Sequence, residues 1–150
     1  MTLQKMELKN TIDKQIKESM LNKDKDRLLA LRAVKSAILL EEKDGNGNSI
    51  NEIQILMKLI KQRKDSLSVY KEQNRLDLAE IEQKEINIIQ EFLPEQMEDS
   101  ELETRIENII KTVGAESIKD MGKVMGMATK ELLGKVDNSR IAAMIKEKLD

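Results

Sequence analysis

Two glycines one helical turn apart stand among lysines in the carboxyl-terminal third of the chain. Gly122 and Gly126 belong to the segment DMGKVMG, residues 120–126. Glycine costs about 1 kcal/mol relative to alanine inside a helix, so a pair of them calls for an explanation. At a spacing of four residues they share one helix face and open a shallow trough that a backbone can approach closely. Either a neighbouring helix or an extended ligand such as an RNA backbone can fill such a trough, and the sequence leaves both open.

Charge is distributed unevenly around the glycine pair. The 150 residues carry 26 basic and 28 acidic side chains, for a net charge of −2. Residues 119–150 contain seven basic and five acidic side chains, whereas residues 94–118 contain two basic and seven acidic ones. A second basic patch, KLIKQRK, lies at 58–64. Each basic stretch is either a phosphate-contacting surface or a solvated face beside a core stripe.

The chain contains no cysteine and no histidine. It therefore lacks a thiolate nucleophile, a disulfide and a cysteine-bound zinc, together with the commonest metal ligand and general base. Carboxylates are abundant, but no spacing marks a pair of them. The glycine–lysine step at 122–123 also lacks the rest of a phosphate-binding loop. The sequence predicts no catalytic residue, no metal site and no cofactor.

The amino-terminal segment is charged throughout, unlike a signal peptide. No apolar run approaches the ~20 residues that would span a bilayer. These features predict a soluble, cytoplasmic protein without a membrane partner, and a monomer is favoured.

Composition and periodicity predict an all-α fold. Hydrophobic residues make up 39% and charged residues 36% of a chain with one proline, one tyrosine, one phenylalanine and no tryptophan. This composition favours helices over a turn-rich β architecture. The side chains expected to face inward on the first four helices are Leu8, Ile12, Ile16 and Met20; Leu28, Leu31, Val34 and Ile38, widened by Leu29, Leu39 and Leu40; Ile53, Leu56, Met57, Ile60, Leu67 and Tyr70; and Leu78, Ile81, Ile88 and Phe92.

Polar residues mark the ends of these helices. An aspartate within NKDKD at 22–26 is expected to cap the second helix, and the run DGNGN at 44–48 ends it. Ser49 and Glu52 fit a capping box for the third helix.

The single proline, Pro94, marks the expected domain boundary, because the residue before a proline is pushed out of the α region. Residues 1–93 are predicted to form a four-helix bundle, and residues 94–150 a smaller bundle of three helices. The expected end signals in the second bundle are a capping box of Ser100 and Glu103, Gly114 after the first helix, caps from Ser117 and Asp120, Gly134 after a helix that continues to Leu132-Leu133, and Asp137-Asn138-Ser139 before the last helix.

Four sequence blocks carry a resemblance to a known family. They are KQRKDS at 61–66, FLPEQ at 92–96, DMGKVMG at 120–126 and GKVDNS at 134–139. In this order and spacing, the chain resembles the YqeY family of small bacterial proteins over essentially its whole length. Its second half is similar to the tail domain of the B subunit of the glutamine-dependent aspartyl/glutamyl-tRNA amidotransferase, the GatB/YqeY domain. Phe92 and Asn138 stand where family members often have tyrosine and glycine.

The resemblance implies two helical bundles and a non-catalytic role in binding tRNA, or a tRNA-processing protein, by shape and backbone. The chain has almost no aromatic side chains on which unpaired bases could stack, so recognition of single strands by stacking is not expected. The candidate RNA contacts are Lys119, Lys123, Lys130, Lys135 and Arg140 for phosphates; Gly122 and Gly126 for close approach; Asn138 and Ser139 as polar groups at a helix start; and Lys61, Arg63 and Lys64 as a second patch.

Two other functions are compatible with the sequence. The amidotransferase similarity also fits an accessory of glutamine-dependent carbon–nitrogen ligation, although the catalytic parts of that enzyme are absent. The methionines Met121, Met125 and Met127 either dock a partner helix or belong to the core.

Overall fold

A computed structural model of the protein describes residues 2–44 and 51–150, with side chains from residue 8 onward. Helices dominate this part of the chain and no strand occurs in it, which confirms the all-α prediction. The α-helices are α1 (Thr2–Leu21), α2 (Lys25–Asp44), α3 (Glu52–Glu72), α4 (Leu76–Gln90), α5 (Asp99–Val113), α6 (Met121–Glu131) and α7 (Asn138–Leu149), with a short 3-10 helix (Ile118–Asp120) before α6. Ser49 and most of the DGNGN run lie outside the described residues.

The chain forms two compact units, Met1–Leu93 and Pro94–Asp150. Unit 1 contains α1–α4, and unit 2 contains α5–α7 with the 3-10 helix. In the described part of unit 1, α2 packs against the other three helices and α3 packs along α4. In unit 2 the three α-helices pack against one another in every pairing.

Apolar side chains of all four helices form the core of unit 1. Its buried members are Ile12, Ala30, Leu31, Val34, Ile38, Ile55, Leu56, Ile60, Ile86 and Ile89. The prediction for Met20 is wrong, because this side chain is 55% exposed and Ser19 is buried in its place. A step of four residues advances by about 40° around an α-helix, so three steps carry Met20 about 120° away from Leu8.

Some predicted stripe residues of α2 and α4 face solvent. Leu29, Leu39 and Leu40 are exposed, so the buried stripe of α2 is narrower than expected. On α4, Ile81 is 44% exposed, whereas Ile86 and Ile89 are buried. In both helices the backbone periodicity, rather than the apolar content of the sequence, decides which side chains enter the core.

Helix-end predictions succeed where a side chain meets a free N–H group. Asp24 accepts from the backbone N–H of Arg27 at 3.1 Å, as expected for the start of α2. Asn51 accepts from the backbone N–H of Gln54 at 3.0 Å at the start of α3. The capping box predicted at Ser100 is wrong, because α5 begins at Asp99, and Glu98, two residues before Ser100, is its N-cap without a side-chain hydrogen bond.

Apolar side chains of all three helices form the core of unit 2. Its buried members are Met97, Leu102, Ile106, Ile109, Val124, Ala128, Leu132, Val136, Ile141, Ile145 and Leu149. Gly114 ends α5 with φ +74°, the left-handed conformation that glycine adopts without strain. Gly134 also has a positive φ, +79°, but α6 ends at Glu131, before the predicted Leu132-Leu133.

Candidate nucleic-acid interface

The outward side of α6 carries both glycines of the central segment. Gly122 and Gly126 are exposed. For a Cβ built on either residue, no heavy atom lies within 4 Å apart from the chain neighbours and the backbone of the same helix. The interpretation in which a neighbouring helix fills the trough is therefore wrong for the described chain, and the trough opens to solvent.

Lysines flank the two glycines. Lys123 and Lys130 are exposed on α6, and Lys119 is exposed in the 3-10 helix that leads into it. At about 100° per residue, Lys123 and Lys130 project within about 20° of each other, beside the glycine row. We call the exposed residues Lys119, Gly122, Lys123, Gly126, Met127 and Lys130 the α6 outer face. The opposite side of the helix is fixed in the core by Val124 and Ala128, both 0% exposed.

The lysines of the α6 outer face have no ion-pair partner among the described residues. Asp120 is an acidic residue in contact with this face through its charge. Backbone N–H groups of Glu116 and Ser117, which donate to the Asp120 carboxylate, are the main causes of its lowered pKa, and the charge of Lys123 lowers that pKa further.

Elsewhere in unit 2, Lys148 and Arg105 form ion pairs between helices. Lys148 lies 2.6 Å from Glu103 and 3.0 Å from Glu107, and these carboxylates raise the pKa of Lys148 to about 12. Arg105 lies 2.8 Å from Glu131. These pairs occupy Arg105 on α5 and Lys148 on α7. Lys111 on α5 and Lys146 on α7 have no ion pair among the described residues, so the α6 outer face is distinguished by the glycines beside its lysines rather than by unpaired charge alone.

Arg140 is not available as a free phosphate contact. Its guanidinium donates to the backbone carbonyl of Met97 at 3.3 Å and to the carboxylate of Asp99. It ties the first turn of α7 to the segment before α5, and we therefore remove it from the candidate surface. Asn138 and Ser139 are exposed at the start of α7, but the Ser139 N–H already donates to Asp137 at 3.1 Å.

The second predicted patch is not one continuous basic surface. Arg63 points inward, where its Nε lies 3.1 Å from Glu85 and its Nη1 donates to the Leu59 carbonyl at 3.0 Å. The Arg63 and Glu85 side chains are only 17% and 11% exposed, so this pair joins α3 to α4. Lys61 is exposed and lies 3.3 Å from Asp65, one turn along the same helix. Lys64 is exposed as well.

Two of the motif blocks, distant in sequence, meet inside unit 2. The side-chain amide of Gln96 donates to the Gly134 carbonyl at 2.8 Å. The Met97 N–H donates to the Lys135 carbonyl at 2.9 Å. Lys135 itself is half-buried. The sequence alone did not predict this pairing, because the hydrogen-bond acceptors are backbone carbonyls, which every residue carries. These two hydrogen bonds join the segment before α5 to the segment between α6 and α7 within unit 2.

The described residues contain no group of three or more acidic side chains that could hold a metal ion. Within the same residues, no helix is both long and apolar enough to cross a membrane.

Comparison with known proteins identifies the family. A family model described as Yqey-like protein matches residues 9–149. The chain belongs to the YqeY family. Curated relatives include three yeast proteins, each named Altered inheritance of mitochondria protein 41, mitochondrial. The protein of Lachancea thermotolerans is 33% identical over 66% of this chain, that of Vanderwaltozyma polyspora 31% over 91%, and that of Saccharomyces cerevisiae strain YJM789 33% over 81%.

This YqeY-family chain spans only part of some relatives. The matched region covers 56% of the Lachancea protein, 79% of the Vanderwaltozyma protein and 66% of the Saccharomyces protein. Their names also correct one prediction: the expected cytoplasmic location is wrong, because these relatives are named as mitochondrial proteins. That expectation depended on a charged amino-terminal segment and on the absence of a long apolar run, and neither feature distinguishes the cytoplasm from the interior of a mitochondrion.

Proposed function

We propose that this YqeY-family protein is a non-catalytic RNA-binding module that holds tRNA against the α6 outer face. The observation that carries the proposal is the pair of exposed glycines between lysines that lack ion-pair partners. A phosphate–ribose backbone needs positive charge and a close approach, and this face combines both. The lysines supply the charge, and the missing Cβ atoms of Gly122 and Gly126 leave the space.

The chemistry of the face favours backbone recognition over base reading. Tyr70 and Phe92, the two aromatic residues of the chain, both belong to unit 1. The α6 outer face therefore has no ring on which an unpaired base can stack. Lysine binds phosphate as a point charge without the bidentate geometry of arginine, which suits recognition by shape rather than by sequence. The similarity to the amidotransferase tail domain supports the choice of tRNA among RNAs.

Two of the three methionines on which the protein-docking alternative depends are not free to contact a partner. Met121 and Met125 pack partly buried against the core of unit 2, and only Met127 is exposed, at 41%. One exposed methionine between lysines is a poor docking stripe for an amphipathic helix. We therefore place RNA binding first. An accessory role in amide transfer is compatible with tRNA binding, and an assay of glutamine hydrolysis by the isolated protein tests whether the chain has that activity by itself.

We infer further that the two units are independent domains, each a helical bundle. The support is that each unit has its own closed set of buried apolar residues. The chain also divides where its proline lies, between Leu93 and Pro94.

Binding of purified protein to total tRNA across a salt series tests the proposal. We expect the logarithm of the binding constant to fall linearly with the logarithm of salt concentration. Changing Lys119, Lys123 and Lys130 to glutamate should weaken binding strongly and reduce the magnitude of the salt slope by about 3, at about one unit for each lost phosphate contact.

A matched variant separates local contacts from net charge. Lys14, Lys17 and Lys71 are exposed lysines of unit 1. Changing these three to glutamate alters the net charge by the same amount and should leave more of the affinity intact. Equal losses in the two triple variants would refute the assignment to α6, and no binding of the unaltered protein at low salt would refute the RNA proposal itself.

A further inference from the structure

The connection between α5 and α6 is held by hydrogen bonds to its own backbone. Gly114 and Ala115 donate to the Ile110 carbonyl at 2.9 and 3.1 Å, which closes the end of α5. The next two N–H groups, of Glu116 and Ser117, donate to one carboxylate oxygen of Asp120, at 2.9 and 3.4 Å. A single side chain thus accepts from two consecutive backbone donors in this connection.

The same connection carries Lys119 to the edge of the α6 outer face. The Ser117 hydroxyl accepts from the Lys119 N–H at 3.4 Å, and the Asp120 N–H donates to the Ser117 carbonyl at 2.9 Å. A capping box adds to them: the Asp120 carboxylate accepts from the Ser117 N–H, and the Ser117 hydroxyl accepts from the Asp120 N–H. These bonds set the backbone at Lys119 before α6 begins. Lys119 has no ion pair among the described residues, so its place depends on the backbone that carries it.

Asp120 is also the one acidic residue within the 119–130 segment. Its carboxylate is ionised at neutral pH like any aspartate. The N–H groups of Glu116 and Ser117, and then the charge of Lys123, lower its pKa further. An ionised carboxylate beside Lys123 opposes the approach of a phosphate. Charge alone therefore makes Asp120 unfavourable for RNA binding, whereas its hydrogen bonds order the segment that presents Lys119.

We propose that Asp120 is a positioning residue of the RNA-binding face, and that its two accepted hydrogen bonds outweigh the repulsion between its carboxylate and phosphate. This inference rests on the proposed RNA-binding function. It assigns to Asp120 a role that its charge by itself contradicts. A positioning role and an electrostatic role consequently predict opposite signs for the same substitution.

Glu116 provides the matched control. It is exposed, belongs to the same connection and carries the same charge, but its part in the hydrogen bonding is its backbone N–H, which a substitution leaves in place. We expect Glu116→Ala to bind tRNA as tightly as the unaltered protein or up to about threefold more tightly, because one negative charge is lost. Asp120→Ala loses the same charge and should bind about five- to tenfold more weakly. Asp120→Asn keeps an acceptor oxygen and should resemble Glu116→Ala.

Two readouts show that weaker binding comes from positioning rather than from unfolding. Far-UV circular dichroism should show the same helix content for Asp120→Ala as for the unaltered protein, and the salt slope should fall by about one, the loss of one phosphate contact at Lys119. Should Asp120→Ala fail to fold, Ser117→Ala tests the same capping box without any charge change. It should bind about two- to threefold more weakly, whereas an electrostatic role predicts no change.

The outcomes separate the two proposals. If the unaltered protein binds no tRNA, the proposed function falls, and this inference falls with it. If the unaltered protein binds but Asp120→Ala binds as tightly as Glu116→Ala, only the positioning role is overturned. Weaker binding by folded Asp120→Ala, or by Ser117→Ala, with unchanged or tighter binding by Glu116→Ala, supports it.

Discussion

Replacing the exposed glycines of α6 by alanine should stabilise the protein while weakening its contact with RNA. A Cβ at Gly122 or Gly126 meets no other part of the described chain within 4 Å. The added methyl group therefore creates no clash in the folded protein. It also restricts the backbone of the unfolded chain, so less conformational entropy is lost on folding. Since no packing role of the glycines opposes the change, the sign of its effect on the free energy of unfolding follows from helix propensity.

The magnitude depends on the position of each glycine in α6. Gly126 is in the interior of Met121–Glu131, where alanine is favoured over glycine by about 1 kcal/mol. Gly122 is the second residue of the helix, so we expect a smaller gain of the same sign. For a unit of this size, about 1 kcal/mol raises the melting temperature by about 4–8 °C.

Gly114→Ala is the control for this prediction. A Cβ at Gly114 also meets nothing within 4 Å, but the residue has φ +74°. Alanine in the left-handed region costs about 1–2 kcal/mol, so this variant should be less stable than the unaltered protein. The two substitutions add the same methyl group to the same kind of open space and differ only in backbone conformation.

Urea unfolding followed by circular dichroism measures all of these variants, and tRNA binding is measured on the same samples. We expect the midpoint to rise for Gly126→Ala, to rise less for Gly122→Ala and to fall for Gly114→Ala. A lower midpoint for Gly126→Ala would refute the open face, because it would mean that the chain itself fills the space. A more stable double variant of Gly122 and Gly126 that binds tRNA with unchanged affinity would show that the glycines do not serve close approach.

Three further outcomes test the fold and its ion pairs. Arg63→Met should lower the free energy of unfolding by about 3–5 kcal/mol, because it leaves Glu85 buried without its partner, and the further change Glu85→Leu should restore much of the loss, as measured by urea unfolding. A hydrogen bond from Lys148 lowers the pKa of Glu103 in the folded protein. The pair therefore stabilises the fold above the unfolded pKa of about 4.3, and this stabilisation is lost as pH falls through the lower pKa of the folded state. Lys148→Met should accordingly destabilise at pH 7 and have little effect near pH 2, and an equal effect at both values would contradict this assignment. A fragment of residues 94–150 should be helical and melt cooperatively by circular dichroism if unit 2 is an independent domain.

The amphipathic pattern predicted the existence of the helices better than the membership of their buried faces. On α1, apolar residues recur every four positions from Leu8 to Met20, but an α-helix repeats every 3.6 residues. The core-facing side of α1 therefore rotates away from this apolar series along the helix, so that Ser19 is buried and Met20 is exposed. On α2, Leu29 and Leu40 add hydrophobicity to the sequence but not to the core. A core position is set by the neighbouring helices, which a local pattern does not contain.

The sequence could not separate structural from available basic residues. Arg63 and Lys64 are adjacent in a basic run, yet Arg63 enters the α3–α4 contact to meet Glu85, 22 residues away. Arg140 likewise meets Asp99 and the Met97 carbonyl across more than 40 residues. Such partners are set by tertiary packing, so the charge pattern alone overestimates the surface available to phosphate.

The exposed glycines remain the place where local preference and fold disagree. Every other feature of α6 favours a packed helix, with Val124 and Ala128 in the core and a capping box before its start. Alanine at position 126 would fit the same structure with greater stability, so the glycine there is not required by the fold. Departures from local consistency of this kind occur in real proteins chiefly at functional sites. The disagreement is confined to the side of α6 that also carries unpaired lysines, and this coincidence is the physical reason to look for the ligand there.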